Sequence, residues 1–231
     1  MTEYSTVGLA AKMACAAYED DPGIQVVGTY GGHASVLVVE HTKPAIVVAF
    51  RGSESLADWL VNAMRWKTPF TPLENHQARV HAGFMAQYTG LRMELFRHLM
   101  SHRREGLELI VTGHSLGGAL ATMFATELAI VLPQASVQCY SFNAPRVGNV
   151  AFVQAVGALP NLRVMRRNTT YDLVPLLLPW CGFVHTPDVE DVTAPPGTTI
   201  RSRHSMAMLA SLLSEKETSR TQREFIVPST L

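Results

Sequence analysis

Runs of apolar residues separated by short polar breaks divide the first part of this chain into regular elements. Residues Ala45–Phe50 are uniformly apolar and rich in β-branched side chains, which is typical of a strand buried on both faces. Two earlier strands are predicted at Ile24–Tyr30 and Ala34–Glu40, on either side of a Gly-Gly pair. The Ala-rich stretch Leu9–Tyr18 predicts a helix that packs on the body of the protein because it has little polar surface.

The remainder of the chain alternates strands with helices. The predicted strands are the run that begins at Glu108, Ser136–Phe142 and Leu162–Arg167. The predicted helices are 81–101, the small-residue run after Gly117, Ala151–Ala158 and a last helix that starts over His204–Leu213 and fades after it. Residues 54–80 read as irregular, and 179–203 read mostly as loop because they are rich in Pro, Gly and Thr. This alternation predicts the α/β class, a mostly parallel central sheet with helices on both faces, in a single domain over 1–231.

Charge and cysteine content exclude several classes of function. The formal net charge is zero and no run of basic residues exceeds two, so the sequence shows no electrostatic footprint for nucleic acid or an anionic membrane. The three cysteines, Cys15, Cys139 and Cys181, are widely spaced and odd in number. They form neither a disulfide framework nor a metal-binding CxxC motif, so buried free thiols are predicted.

The sequence shows no targeting or membrane-spanning segment. The first residues lack a basic region followed by an apolar run, and the longest apolar stretch, Ala119–Leu132, is too short to cross a bilayer. The expected compartment is therefore the cytoplasm. A secreted protein whose leader had been removed would have the same sequence pattern.

The most informative motif is Gly113-His114-Ser115-Leu116-Gly117, which follows a β-rich run and precedes a helix. A serine at such a strand-to-helix turn has strained backbone angles, so its hydroxyl projects above the edge of the sheet. The backbone N–H of Leu116 can then face a developing oxyanion. Ser115 is therefore the predicted nucleophile.

A serine nucleophile needs a histidine base, held by a carboxylate. In the topology in which such a turn usually occurs, the acid and then the histidine follow the serine in the chain. Asp172 follows a predicted strand directly and is the favoured acid, whereas His204 is favoured over His185 because it lies at a loop-to-helix junction. His114 is predicted to be a buried support. A second oxyanion donor is expected from Ser53, just after the most buried strand.

Five stretches give the chain a resemblance to the class 3 (fungal-type) triacylglycerol lipases, of the α/β-hydrolase fold. They are Phe50-Arg-Gly-Ser53 with Asp58-Trp59, His81-Ala-Gly-Phe84, Gly113–Gly118, Ser141–Asn149 and Asp172-Leu-Val-Pro175. The resemblance implies the same roles for Ser115, Asp172, His204, Ser53 and Leu116, and it implies a lid after Ser53. The spacing from Asn168 to Asp172 is one residue longer than is usual in that family.

These features predict a serine-dependent carboxylic-ester hydrolase that acts on acylglycerols through an acyl-enzyme. The lid candidate is 54–75, whose apolar side chains also suit ordinary core packing. The candidate substrate-binding or lid residues are Trp59, Leu60, Met64 and Trp66. The expected partner is a lipid or small ester, with transient contact to an oil or lipid interface, and the chemistry calls for no metal or organic cofactor. The alternatives are a short-chain or aryl esterase, a phospholipase A1, and a non-catalytic interaction protein that has kept the fold.

Overall fold

A computed structural model describes residues 6–18, 25–30, 34–40, 45–52, 66–102, 108–177 and 181–225. The strands are β1 (Gln25–Tyr30), β2 (Ala34–Glu40), β3 (Ala45–Phe50), β4 (Lys67–Pro69), β5 (Arg79–His81), β6 (Glu108–His114), β7 (Val137–Phe142), β8 (Leu162–Thr169) and β9 (Val189–Val192). The helices are α1 (Thr6–Ala16), α2 (Ala82–His102), α3 (Leu116–Val131), α4 (Val150–Gly157), α5 (Ile200–Arg203) and α6 (Met206–Phe225), with a 3₁₀ turn at Val174–Leu176.

The central sheet has seven strands in the order β1-β2-β3-β6-β7-β8-β9. The pairs from β3 to β9 are parallel, and the pairs β1-β2 and β2-β3 are antiparallel. The carboxyl ends of the parallel strands therefore share one edge of the sheet, which is where loops carry chemistry in open α/β folds. The predicted α/β class with a mostly parallel sheet is confirmed.

Helices cover both faces of this sheet. Alternate side chains of β3 enter two cores: Ile46, Val48 and Phe50 pack with α2, α3 and α4, while the side chains between them pack with α1 and α6. Successive residues of a strand point to opposite faces, so a strand that is apolar at every position requires a core on each side. All six residues of β3 are buried, as the pattern predicted.

Several predicted boundaries were wrong. Strand β9 lies within 179–203, which was predicted to be mostly loop, and it pairs in parallel with the end of β8. Helix α6 continues to Phe225 instead of fading after Leu213, and His204 lies before its first residue, Met206. Of the three free cysteines, only Cys139 is fully buried. In the described part of the chain, no helix combines the length and apolarity that crossing a bilayer requires.

The second half of the predicted lid segment, 66–75, is anchored to the body. Strand β4 pairs with β5 in a separate two-stranded sheet, and Phe70 is fully buried. The ring centroid of Phe70 lies 5.4 Å from that of Phe152 and 6.3 Å from that of Tyr88. Core packing is thus the role of Phe70, whereas residues 54–65 lie outside the described residues.

Candidate active site

Ser115 lies at the turn between β6 and α3, in a backbone conformation that is rare for a residue with a side chain. Its φ is 60° and its ψ is −126°. Such a conformation persists only where the surroundings impose it, and strain of this kind is concentrated at functional sites. The neighbouring strand β7 stabilises the turn, because the Ser115 N–H donates to the carbonyl of Phe142 at the end of β7 (2.9 Å). The predicted strained turn is therefore present.

The two glycines that flank this turn permit a close approach of backbone segments. A Cβ at Gly113 would lie 2.3 Å from the carbonyl oxygen of Gly117, and a Cβ at Gly117 would lie 2.2 Å from the carbonyl oxygen of Phe50. Both distances are far inside van der Waals contact, and both oxygens belong to backbone held in regular structure. The start of α3 can therefore sit directly on the ends of β3 and β6.

The three side chains of the predicted triad form a continuous chain of hydrogen bonds. His204 Nε2 lies 2.8 Å from Ser115 Oγ, and His204 Nδ1 lies 2.8 Å from Asp172 Oδ2. Because an ionised carboxylate only accepts, Nδ1 carries the proton and Nε2 is left to accept from the serine hydroxyl. Ser115 and Asp172 are buried, whereas His204 is partly exposed. We call these residues the candidate triad; they are 57 and 32 positions apart along the chain.

Asp172 owes its orientation to the loop that follows β8. Its other carboxylate oxygen, Oδ1, accepts from the N–H of Val174 (2.9 Å), and its own N–H donates to the carbonyl of Thr169 (3.1 Å). An aspartate that bonds the backbone two residues ahead forms an Asx turn, which stabilises a tight loop. Both oxygens are thus committed, one to the loop and one to His204.

Asn143, which sequence reasoning left without a role, connects the loops that carry Asp172 and His204. Its side chain accepts from the N–H of Thr169 (2.7 Å) and donates to the Thr169 hydroxyl and to the carbonyl of Arg203 (3.2 Å each). Its φ of 46° lies in the left-handed region, which asparagine tolerates better than most residues. Its place directly after β7, next to the serine strand, was the signal that could have identified it.

His185 and His81 are partly or fully buried and contact residues outside the candidate triad. Nε2 of His185 donates to the carbonyl of Pro175 (2.7 Å), and burial with nearby Arg166 lowers the pKa of His185 to about 4. His81 is fully buried beside the ring of Phe84, and burial lowers its pKa to about 4. The preference for His204 over His185 therefore agrees with the geometry.

His114 lies between the N-terminal helix and His204. Its Nδ1 is 2.8 Å from the hydroxyl of Tyr18, and its ring centroid is 4.7 Å from that of His204. Burial, together with charge on His204, lowers the pKa of His114 to about 3, so its ring is neutral near pH 7. It is a buried support, as predicted.

The structure describes one of the two predicted oxyanion donors. Leu116 is the first residue of α3, so its N–H precedes the first intrahelical hydrogen bond and adjoins Ser115. Ser53 lies outside the described residues. The preceding Gly52 is close to the site, because a Cβ there would lie 3.2 Å from the Cβ of Ser115. The loop after β3 therefore reaches the nucleophile turn.

The predicted substrate-binding residues are only partly described. Trp59, Leu60 and Met64 lie outside the described residues. Trp66 is 71% exposed, and its carbonyl accepts from the N–H of Ala82 at the start of α2. Within the described ranges no hydrogen bond or ring contact joins Trp66 to the candidate triad. No group of His, Cys, Asp or Glu side chains in the same ranges is arranged to hold a metal ion.

Comparisons with known proteins place this geometry in a family. The family model "Lipase (class 3)" matches residues 47–181. A curated relative, the secreted mono- and diacylglycerol lipase A of Penicillium cyclopium, is 32% identical over 170 residues, which cover 72% of this chain and 54% of that protein. Phospholipase A1-II 3 of Oryza sativa is 28% identical over 169 residues, which cover 60% of this chain and 40% of that protein. The match thus spans about half the length of these relatives.

A solved structure agrees with the sequence comparison. A mutant form of MDLA from Penicillium cyclopium superposes with a TM-score of 0.66 at 28% identity, covering 85% of this chain and 84% of that one. The residues that the family model matches, 47–181, include most of β3, the nucleophile turn and Asp172, and they end before His204. With the family model matching more than half of its length, this chain belongs to the class 3 lipase family.

Proposed function

We propose that this protein is a serine-dependent carboxylic-ester hydrolase that acts on acylglycerols, as a triacylglycerol lipase does. The observation that carries the proposal is the hydrogen-bonded chain from Ser115 Oγ through His204 to Asp172, with a strained nucleophile turn at its end. Class 3 family membership supports the same chemistry. A structural role alone would not require a buried serine in a strained conformation.

In the first half-reaction, Ser115 Oγ attacks the ester carbonyl carbon while His204 Nε2 takes the hydroxyl proton. The carbonyl oxygen becomes an oxyanion, to which the N–H of Leu116 and, as the second proposed donor, Ser53 donate. Asp172 stabilises the imidazolium that forms. The intermediate collapses, His204 gives its proton to the leaving alcohol, and the acyl group remains on Ser115. Loss of one oxyanion donor would cost about 100- to 1,000-fold in turnover.

In the second half-reaction, water takes the place of the alcohol. His204 Nε2 removes a proton from the water as its oxygen attacks the acyl-enzyme carbonyl, and the same proton then returns to Ser115 Oγ. The products are the free alcohol and the carboxylic acid, and the protein returns to its starting protonation state. Every group in this cycle belongs to the chain, the ester or water.

Acylglycerols are the favoured substrates because a mono- and diacylglycerol lipase is among the curated relatives. Phospholipase A1 activity is the second candidate, since a phospholipase A1 is among them too. Short-chain and aryl esters would be hydrolysed by the same triad, but they need a smaller surface to bind the acyl chain. A non-catalytic role is disfavoured by the complete candidate triad.

Contact with a lipid interface is supported by apolar side chains around Asp172 and His204. Tyr171 is 79% exposed, and three further large apolar residues beside the site, Leu173, Leu176 and Ile200, are also exposed. An apolar rim of this kind favours contact with an oil surface. We propose that segment 54–75 acts as a lid; within it, Phe70 is buried in the core and β4 pairs with β5.

The relatives bear on the compartment as well. One of them is named a secreted lipase, and another is named chloroplastic. Neither name supports the cytoplasmic expectation. Of the two compartments that the sequence left open, we propose the extracellular one.

A fluorophosphonate probe tests the nucleophile directly. We expect the probe to modify the peptide that contains Ser115, and Ser115→Ala to lose labelling and at least about 10⁴-fold in kcat on tributyrin. Ser136→Ala, which removes an exposed serine at the opposite edge of the sheet, is the matched control and should behave like wild type. Retained hydrolysis in Ser115→Ala would overturn the proposal and revive the non-catalytic alternative.

Substrate profiling separates the remaining candidates. We expect hydrolysis of emulsified acylglycerols with chains of eight carbons or more, with a rise in rate once a soluble ester exceeds its solubility limit. Preference for phosphatidylcholine would establish the phospholipase alternative, and activity on short aryl esters alone would establish the esterase. A smooth saturation curve with no rise at the solubility limit would contradict the lid.

A further inference from the structure

The hydroxyl of Tyr18 and the ring of His114 form a support behind His204 that the reaction scheme does not use. Tyr18 follows α1, whereas His114 is the last residue of β6. The Tyr18 hydroxyl lies 2.8 Å from His114 Nδ1, and the two rings meet edge to face with centroids 5.8 Å apart. The ring of His114 in turn packs against that of His204 at 4.7 Å, tilted by 39°.

The Tyr18 ring is itself held from more than one side. The guanidinium carbon of Arg51 lies 5.7 Å from its centroid, a cation–π distance. A Cβ at Gly52 would lie only 2.3 Å from the Tyr18 hydroxyl oxygen, so this hydroxyl occupies the space that a side chain at 52 would need. Tyr18 therefore contacts the loop after β3 and the nucleophile turn together.

Two hydrogen bonds fix the edges of the His204 ring, whereas the position of its faces depends on packing. His204 lies between the four-residue helix α5 and the start of α6, and its side chain is partly exposed. The hydrogen bond from Nδ1 to Asp172 fixes one edge of the ring but leaves rotation about that bond. A neutral ring packed against its face limits the rotation without competing for the proton, because burial keeps His114 uncharged near pH 7.

We propose that Tyr18 and His114 are positioning residues for the catalytic base: Tyr18 holds the His114 ring, and that ring holds the imidazole of His204 in line with Ser115 Oγ. The inference rests on the proposed hydrolase function. Proton transfer by a positioned base contributes about 10²- to 10⁴-fold to such reactions, and its efficiency depends on hydrogen-bond geometry. A loosened His204 should therefore slow the chemical step and leave substrate binding unchanged.

The test is a double-mutant cycle with kcat and KM measured separately. Tyr18→Phe removes only the hydroxyl, and we expect kcat to fall about tenfold with KM within twofold of wild type. His114→Asn removes the ring but keeps a hydrogen-bonding amide near Tyr18, and we expect a larger fall, about 30-fold. Since Tyr18 acts through His114, the double variant should match His114→Asn within twofold. The rate of fluorophosphonate labelling should follow kcat in all three variants.

Tyr140→Phe is the matched control, because it also removes one tyrosine hydroxyl, whose partner is Gln138, away from the site. It should leave kcat unchanged. Wild-type kcat in Tyr18→Phe, or additive losses in the double variant, would overturn the inference while hydrolysis by wild type upheld the proposed function. If Tyr18→Phe does not fold, His114→Asn decides the matter: unchanged kcat overturns the proposal and a selective loss of kcat supports it. A wild-type protein that hydrolyses no ester would instead overturn the proposed function itself.

Discussion

Asp172 and Glu127 are two carboxylates that are buried to a similar degree, but the first belongs to the candidate triad and the second has a structural role. Asp172 faces the imidazole of His204, which can gain and lose a proton. Glu127 on α3 is 1% exposed and faces Arg92 and Tyr88 on α2, a group we call the clamp. Because arginine keeps its positive charge throughout the physiological range, Arg92 balances the negative charge of Glu127 at every pH in that range. The partner, more than the burial, decides whether a buried carboxylate serves chemistry or structure.

The electrostatics of the clamp agree with a structural role. Both nitrogens of the Arg92 guanidinium that face α3 donate to Glu127, a planar two-point contact. The hydrogen bond to Glu127 raises the pKa of Arg92, and burial, with the charge of Glu127, raises that of Tyr88 well above its usual value. Arg92 therefore keeps its charge and Tyr88 keeps its proton, whereas His204 in the candidate triad takes up and releases a proton in the proposed reaction.

Asp172→Asn tests the role of the carboxylate in the candidate triad and has the largest expected effect. The amide oxygen can still accept from the N–H of Val174, which leaves the amide nitrogen to donate to His204 Nδ1. His204 would then carry its proton on Nε2 and could not accept from Ser115. We expect kcat to fall about 10⁴-fold with little change in KM. A kcat within tenfold of wild type on tributyrin would show that the carboxylate does not set the tautomer.

Glu127→Gln applies the matched change to the clamp and should alter stability alone. It removes the buried charge that Arg92 and Tyr88 bind, so we expect the free energy of unfolding to fall by about 3 kcal/mol. The expected kcat, measured on the folded protein, stays within twofold of wild type. Urea denaturation measures the loss, and Glu94→Gln, which breaks the exposed pair with Arg97, is the control with no expected shift. Loss of kcat in folded Glu127→Gln would mean that the clamp also serves the reaction.

Acidification should lower the stability gradually, through the buried histidines and not through the clamp. Burial lowers the pKa values of His114, His81 and His185 to about 3, 4 and 4, whereas the clamp contains no histidine. An unfolded chain protonates each near pH 6.5, so between that pH and its native pKa the unfolded state binds more protons. Stability is therefore lost as the pH falls below about 6.5, by about 1.4 kcal/mol per pH unit for each group.

Urea midpoints at pH 7, 6, 5 and 4 check this sign and slope. His114→Asn should flatten the slope because it removes one of the titrating groups. Midpoints that stayed constant from pH 7 to pH 5 would show that these rings are not held neutral by burial.

The local elements of this fold were largely readable from the chain. Strands β2 and β3 agree with their predicted bounds. In β3, the unbroken apolar run is buried on both faces. Strand β9 was missed because Val189–Val192 is short and its two central residues are acidic. It exists through pairing with residues 166–169 of β8, which lie far from it in the sequence.

The candidate site was predictable to the same degree. The glycines around Ser115 follow from steric rules that act over a few residues, and the order of Ser115, Asp172 and His204 along the chain is the order expected for this topology. The position of Asn143 directly after β7 was a weak signal, and Tyr18 had none, because the contacts of both residues depend on which loops lie beside them.

The sequence by itself determined the α/β class, the nucleophile turn and the residue types of the triad, since periodicity and backbone sterics are local. Only the tertiary structure decided that His204 reaches Ser115 across 89 positions and that Glu127 meets Arg92 and Tyr88. These long-range contacts depend on how the edge of the sheet and the packed helices bring distant segments together. Contacts of that kind are set by the packing of the whole chain, which no short window of residues encodes.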